Sequence, residues 1–538
     1  MPDTIRAADA LARRLYDAGC RYAFGMPGGE VLTLIDALKQ AGIQFILAKH
    51  ENAAGFMAEG VHHRDQAPAI LVGTIGPGTL NGVNTVANAL QDQVPLIVLS
   101  GCVDADETAR YTHQVVDHQA VFEPITKATF RLSAGAAHVI ADKAVAIATE
   151  GRMGPVHIDV PIGVADTHIP ALAPARRRPA SPSIPAEKDL ETARSWLAEA
   201  RKPLMIVGVD AMNQYAGQAV REFAEDHNIP VITTYKAKGM LPEDHPLALG
   251  GAGLSPLADK HLVPFTQSAD LIICVGYDPI EMRPGWRDVW TPDSQRVIDI
   301  TAVPNHHYMH QSTLNFVTDC APTLAALSDG LDPRATWVDG EIHQLKTALG
   351  TAFPNDEDWG PAAVIDTCRA VLPKGTIASA DSGAHRILLS QMWECHAPRD
   401  LMQSSALCTM GCAVPMAIGA KLADPERNVV SFSGDAGFLM VAGELATAAE
   451  LNLAPIFVVF VDASLALIEK KQRERQLSNS GVDFPRHNFA AMGVAFGGRG
   501  ATVRSRKALE TALEQAMQAD TFTVIAAVID RGAYDDRI

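Results

Sequence analysis

Two aspartates and a set of glycine turns carry the chemistry that can be read from this chain. Gly434-Asp435-Ala436-Gly437 follows the apolar run Val429–Ser433, and Asp462 follows the next such run, Ile456–Val461. In a right-handed crossover between parallel strands, both carboxylates face one crevice beyond the strand ends. The glycines let backbone N–H groups approach an anion at the start of the following helix. Two carboxylates beside an anion repel it unless a cation lies between them, and Mg²⁺ suits carboxylate, carbonyl, water and phosphate oxygens together. The same residues also read as an Asp N-cap and an Asp turn residue, and spacing leaves both readings open.

Two further features lie upstream. Glu51 follows the short apolar run Gln44–Ala48 at the head of an Ala-rich helix, where it either serves a pocket or complements the helix dipole as a first-turn acid. Thr74-Ile75-Gly76-Pro77-Gly78-Thr79-Leu80-Asn81 is a strand end breaking into a turn that brings backbone close to another group.

The elements that would hold these residues are legible in the apolar pattern. In the first 170 residues, Asp9–Ala18 has helical spacing, Ala69–Val72 and Leu96–Leu99 are β-rich runs followed by glycines, and Val156–Val160 ends at a proline. Residues 170–189, PALAPARRRPASPSIPAEKD, have no period and read as a linker. A second unit runs through Pro203–Gly208, Pro230–Thr233 and Leu271–Gly276. A third carries strands at Thr376–Ser379, Val429–Ser433, Ile456–Val461 and Phe522–Val528, with a helix over Val441–Leu451. The prediction is an α/β protein of three doubly wound parallel-sheet domains over residues 1–170, 186–330 and 360–538.

Bulk composition narrows the class. A chain of 538 residues is too long for one core. A formal net charge of −17 argues against nucleic acid or an anionic membrane as the main partner. The eight cysteines form no CxxC pair, which favours free thiols in a reducing compartment over a metal cluster. The first residues are amphipathic without the apolar core of a secretory signal, and no apolar run reaches membrane length. A soluble, cytoplasmic protein is expected.

Five segments, GMPGGE (25–30), HENAAGFMAEG (50–60), TIGPGTLNGV (74–83), SALCTMGCAVPMAIGA (405–420) and GDAGF…VDAS (434–464), occur in an order that resembles the thiamine diphosphate enzymes of the acetolactate (acetohydroxyacid) synthase-like group. The resemblance runs from about residue 4 to residue 530. YTHQVVDHQAVFEPITK (111–127), GYDPIEMRPGW (276–286) and Asp462 are most similar to the catabolic, flavin-independent members. The resemblance implies pyrimidine-binding, central and diphosphate-binding domains, thiamine diphosphate and Mg²⁺ as cofactors, and argues against FAD.

Residue by residue, it implies that Glu51 hydrogen-bonds the pyrimidine N1′ from a dry pocket, close to Pro77 and Asn81. Met410 matches the wedge that bends the cofactor, and the Cys408 carbonyl accepts from its 4′-amine. Asp435, Asp462 and the Ser464 carbonyl match the metal ligands. Gly434, Ala436, Gly437, Gly383, Ala384 and His385 fall on the phosphate side, and His113 and Gln114 in the reaction pocket. Two positions depart from the pattern. Lys471 stands where catabolic relatives carry Gln and biosynthetic ones an aromatic residue, so it either binds a substrate carboxylate or lies on a solvated helix. Ala436 replaces a glycine, so a negative φ is expected there.

The implied activity is decarboxylation of pyruvate and transfer of the two-carbon unit to a second small 2-oxo acid. The alternatives are a 2-oxoacid decarboxylase or lyase of the same cofactor class, and a silent thiamine-fold subunit. The silent subunit is disfavoured because Glu51, Asp435 and Asp462 are all present. Relatives also imply a homodimer or homotetramer with sites at the subunit interface.

Overall fold

Runs of Val, Ile, Leu and Phe buried on both faces build parallel strands that helices cover from either side. The computed structural model describes residues 4–176 and 179–538, so Arg177 and Arg178 of the expected linker lie outside it. β1 (Thr4–Arg6) pairs antiparallel with β8 (His168–Pro170) and ties the ends of the first unit together. Between them lie β2 (Tyr22–Gly25), β3 (Gln44–Leu47), β4 (Ala69–Gly73), β5 (Leu96–Cys102), β6 (Ala128–Arg131) and β7 (Val156–Pro161). They form a parallel sheet in the order β3-β2-β4-β5-β7-β6.

The second sheet comprises β9 (Pro203–Val207), β10 (Val231–Thr234), β11 (Ala248–Ala252), β12 (Leu271–Val275), β13 (Arg296–Thr301) and β14 (Leu314–Val317), in the order β11-β10-β9-β12-β13-β14. The third comprises β15 (Ile377–Ala380), β16 (Leu401–Gln403), β17 (Val429–Gly434), β18 (Ile456–Val461), β19 (Arg499–Val503) and β20 (Thr523–Val528), in the order β16-β15-β17-β18-β20-β19. All three sheets are parallel, and the α/β class is as expected. Each sheet reverses its strand order near its middle, between β2 and β4, β9 and β12, and β15 and β17, and the first and third reverse again at the far edge, at β7-β6 and β20-β19. Open α/β sheets bind ligands at such switch points, beyond the carboxyl ends of the strands.

One local expectation is corrected. Residues 434–437 are not a free turn ahead of a helix at 441. Gly434 closes β17 and Asp435–Val441 is already helical, followed by a 3₁₀ turn at Ala442–Glu444 and a second helix at Leu445–Glu450. Asp435 at the head of that helix takes the N–H of Ala436 on its own carboxylate, so no loop is needed to leave the strand.

The first and third units share one core. The helix Glu51–Asp65 lies against the helix Ala413–Ala423, with Phe56, Met57, Val414, Met416 and Ile418 buried between them. A polar junction joins all three units. The Lys236 ammonium donates to Glu59, to Asp92 and to the carbonyl of Gln403, and all four residues are buried. All eight cysteines are free. Among the described residues no helix is long and apolar enough to cross a membrane.

Candidate active site

At the switch point of the third sheet, the strand ends open on a cleft of about 180 Å³. Asp381-Ser382-Gly383 leaves β15, Asp435 follows β17, and Asp462 follows β18. Gly383, Ala384, His385, Cys408, Met410, Gly434, Asp435, Ala436, Gly437, Asp462 and Ser464 all line it. Each was expected from sequence, and the fold brings them together.

Backbone donors hold the two aspartates in place. Asp435 accepts the N–H of Ala463 at 2.8 Å, and Asp462 accepts that of Ser464 at 3.1 Å. Ala463 adopts φ 61°, a left-handed conformation that is costly for a residue with a β-carbon and lets its N–H turn back. Burial raises the Asp435 carboxyl despite these donors. Burial, and then the charge of Asp435, push Asp462 up to about 7. Ala436 lies in the helix and is absent from the positive-φ residues, as expected.

His385 is buried beside Phe460, the rings stacked with centroids 5.3 Å apart. Burial and the neighbouring Arg386 lower its imidazole to about 3, so it is neutral, and its Nε2 has no hydrogen-bond partner among the described residues. Gly383 has φ 155°, and a β-carbon there would come within 2.8 Å of the His385 ring. Cys408 holds a left-handed φ of 57° two residues before Met410, which turns the segment toward the cleft.

Sequence reasoning missed Asp381, although it lies just two residues before Gly383 in DSGAHR (381–386). It is fully buried beneath the cleft and accepts the N–H of Cys412 at 3.1 Å. Its other oxygen lies 1.9 Å from where a β-carbon on residue 437 would stand, so Gly437 makes room for it. Burial raises its carboxyl to about 6.

A second cluster occupies the switch point of the first sheet. Glu51 begins its helix with only 5% of its surface exposed and accepts from Asn81 Nδ2 at 3.0 Å. A β-carbon at Gly78, the residue after Pro77, would stand 3.0 Å from the other Glu51 oxygen. His113 and Gln114 are exposed on the adjoining loop, and Gln114 packs over Gly76. Glu51, Pro77, Asn81, His113 and Gln114 do not line the cleft of the third unit. Two residues before Glu51, the Lys49 N–H donates to Glu444, in the crossover that follows Asp435.

Lys471 lies on the helix Ala466–Glu474, whose Leu467 and Ile468 line the cleft. Its neighbours are paired, Lys470 with Glu474 and Arg473 with Glu469 and Asp535. Lys471 itself is exposed and forms no ion pair among the described residues.

Two buried carboxylates that repel each other, an imidazole nitrogen without a partner and a glycine-lined backbone are suited to a dication and a diphosphate. The chemistry of the cleft and its place at a switch point are those of a thiamine pyrophosphate enzyme. The chain matches the family models for the N-terminal TPP binding domain of such enzymes over residues 5–121, the central domain over 190–327 and the C-terminal TPP binding domain over 381–527. It is 32% identical to the acetolactate synthase isozyme 1 large subunit of Escherichia coli (strain K12), covering 86% of this chain and 83% of that one. It is 28% identical to the acetolactate synthase of Bacillus subtilis (strain 168), over 99% of this chain and 94% of that one. A catabolic acetolactate synthase from Raoultella terrigena is also 28% identical, over 97% and 95% of the two chains. The chain belongs to the acetolactate synthase-like family of thiamine diphosphate-dependent enzymes.

Proposed function

We propose that the protein is a carboligase that decarboxylates pyruvate and joins the two-carbon unit to a second 2-oxo acid, forming acetolactate and CO₂ when both substrates are pyruvate. The observation that carries this reading is the buried Asp435–Asp462 pair in a cleft shared with Met410 and His385. Thiamine diphosphate, when bound, supplies a carbon nucleophile and an electron sink.

In this reading Asp435, Asp462 and the Ser464 carbonyl hold Mg²⁺. The N–H groups along Gly383–His385 and of Gly437, together with the neutral imidazole of His385, face the diphosphate. Met410 would pack against the cofactor, and the Cys408 carbonyl would accept from its amine. Glu51, held by Asn81, would hold a proton for the pyrimidine, and its near-complete burial would keep water away from that proton. His113, Gln114 and Lys471 stand on the substrate side, with Lys471 offering a cation to a carboxylate.

The separation of Glu51 from the cleft within one chain supports a homodimer or homotetramer in which two copies complete each site. We assign residues 1–170, 186–330 and 360–538 as the pyrimidine, central and diphosphate domains, and place the protein in the cytoplasm. We also propose that it works without FAD. At the switch point of the central sheet, Arg152 from the first unit reaches Asp210 at 3.3 Å and Asp278 at 3.2 Å, and donates to Asn305 at 3.0 Å. An arginine bound to three partners occupies the crevice in which a dinucleotide would lie.

The test loads purified protein with thiamine diphosphate and Mg²⁺, supplies pyruvate and identifies the products. Acetolactate is expected. Acetaldehyde as the main product would instead identify a simple decarboxylase, and no turnover would refute the reading.

A further inference from the structure

Beneath the Gly76–Gly78 turn lies a buried polar cluster that the reaction chemistry does not use. His118 is 1% exposed, Ser100 and His157 are fully buried, and Asp159 is 3% exposed. Ser100 and Asp159 sit opposite each other on β5 and β7, His157 lies two residues before Asp159, and His118 heads the short helix His118–Phe122.

The donors and acceptors fix nearly every proton in this cluster. The Gly76 N–H donates to His118 Nε2 at 3.1 Å, so that nitrogen is bare. The proton of His118 therefore sits on Nδ1, which lies 2.9 Å from Asp159 Oδ1. Ser100 Oγ donates to the same oxygen at 2.9 Å. Its single hydrogen is thereby used, so His157 Nε2 must donate to Ser100 Oγ. Burial lowers the His157 imidazole to about 4, and its Nδ1, without a partner, is the bare nitrogen of a neutral ring. Burial works to raise Asp159, but the hydrogen bond from His118 and the neighbouring imidazoles hold it below its ordinary range. His118, His157 and Asp159 are close enough to hold a metal ion, but each nitrogen and oxygen that faces the others is committed to a hydrogen bond.

The chain ends on Gly76, which has φ 69° and ψ −108°, a conformation open in practice only to glycine. From there the turn continues through Pro77 and Gly78 to Asn81, which grips Glu51.

We infer that Asp159 and His118 form a positioning dyad: the carboxylate fixes the imidazole as its Nδ1–H tautomer, and the bare Nε2 then anchors the Gly76 N–H and with it the turn that holds Glu51. The inference deepens the carboligase reading and rests on it where Glu51 is concerned. The other tautomer would point an N–H at the Gly76 N–H and push the turn away.

Three variants separate this role from simple packing. His118→Gln keeps an acceptor at the Nε2 position, His118→Asn reaches only the Nδ1 position, and Asp159→Leu removes the acceptor that holds the imidazole proton on Nδ1. The first readout is amide hydrogen exchange of residues 74–82 in the full-length protein without cofactor, which does not depend on activity. Protection of this segment is expected to fall about tenfold in His118→Asn and Asp159→Leu, the scale of one lost hydrogen bond, and to stay near wild type in His118→Gln. The second is exchange of the C2 proton of thiamine diphosphate in the loaded enzyme, expected to slow in the same two variants with little change in KM for pyruvate.

Wild-type protection in Asp159→Leu, or lost protection in folded His118→Gln, would overturn the dyad. If His118→Asn and Asp159→Leu do not fold, His118→Gln alone decides. Glu51→Gln distinguishes the two levels of the proposal. It should abolish C2 exchange and leave protection of 74–82 intact. Unchanged C2 exchange in that variant would refute the role of Glu51, while the protection data would still stand for the dyad.

Discussion

The Asp435 carboxylate accepts the N–H of Ala463, the residue immediately after Asp462, at 2.8 Å. The acid at one strand end is thus latched to the backbone of the next before any cation is considered, while Asp462 accepts the N–H of Ser464, and both charges are confined in a buried space. Asp462 bears the cost, with its carboxyl pushed up to about 7 by burial and by Asp435.

Removing one charge from this pair should therefore have opposite effects with and without metal. In metal-free protein, Asp462→Asn is expected to raise the thermal midpoint by a few degrees, because a buried repulsion disappears. The further rise on adding Mg²⁺ with thiamine diphosphate should be largely lost, with cation affinity down at least about tenfold. Thermal scans over a Mg²⁺ titration after chelation measure both. A wild-type cation response in the variant would contradict the metal assignment.

The docking of the first unit on the third depends on reciprocal glycines. A β-carbon at Gly60 would stand 2.2 Å from the Met416 carbonyl oxygen, and one at Gly419 would stand 2.0 Å from that of Met57. Backbone cannot yield as a side-chain tip does, so Gly60→Ala and Gly419→Ala should each destabilise by about 3 kcal/mol or more. Gly350→Ala is the control. It lies inside the helix Glu341–Ala352 with open space around its β-carbon, and should stabilise by up to about 1 kcal/mol. Denaturant or thermal unfolding compares the three.

Lys236 is the only cation bonded to both Glu59 and Asp92 among the described residues, and Asp92 in turn accepts the N–H groups of Ser405 and Ala406, just ahead of Cys408 and Met410. Lys236→Met leaves two buried carboxylates without that charge and should cost about 3–5 kcal/mol. Adding Glu59→Gln should recover part of the loss, since burial already raises the Glu59 carboxyl. Midpoints of the single and double variants test the order.

Asp299 predicts a pH signature in the central unit. Burial raises its carboxyl to about 7, with Asp210 and Asp278 adding to the shift against Asn305 and Arg152. The folded state then holds this proton more tightly than the unfolded one, so the contribution of Asp299 to stability falls as pH rises from about 4 to 7. Asp299→Asn should therefore gain about 2 kcal/mol relative to wild type between pH 5 and pH 8, a few degrees in midpoint. An equal difference at both pH values would contradict it.

The chain's own residues determined most of the interior of each sheet, with the interior strands Tyr22–Gly25 and Arg296–Thr301 left unread. Runs such as Leu96–Leu99, Leu271–Val275 and Ile456–Val461 cannot be solvated, and they announced buried parallel strands. The edge strands Ala128–Arg131, Ala248–Ala252, Leu314–Val317, Leu401–Gln403 and Arg499–Val503 did not stand out. An edge strand needs no long apolar run, because one of its sides has no neighbouring strand. Spacing likewise placed Asp435 and Asp462 on one crevice, because each follows a strand end of a single sheet and short-range connectivity fixes where such ends point, while Met410 and His385 entered through the family resemblance.

Tertiary structure alone decided the rest. That Asp381 lies under Gly437, that Glu444 meets the backbone ahead of Glu51, and that His118 reaches Gly76 are contacts between segments far apart in the chain, or between side chains whose direction no local pattern encodes. The same holds for the absence of Glu51 from the lining of the cleft that holds Asp435 and Asp462. The spacing of residues within one strand or helix is set by backbone geometry, whereas the meeting of two such elements is set by how their surfaces pack, and only the folded chain shows that.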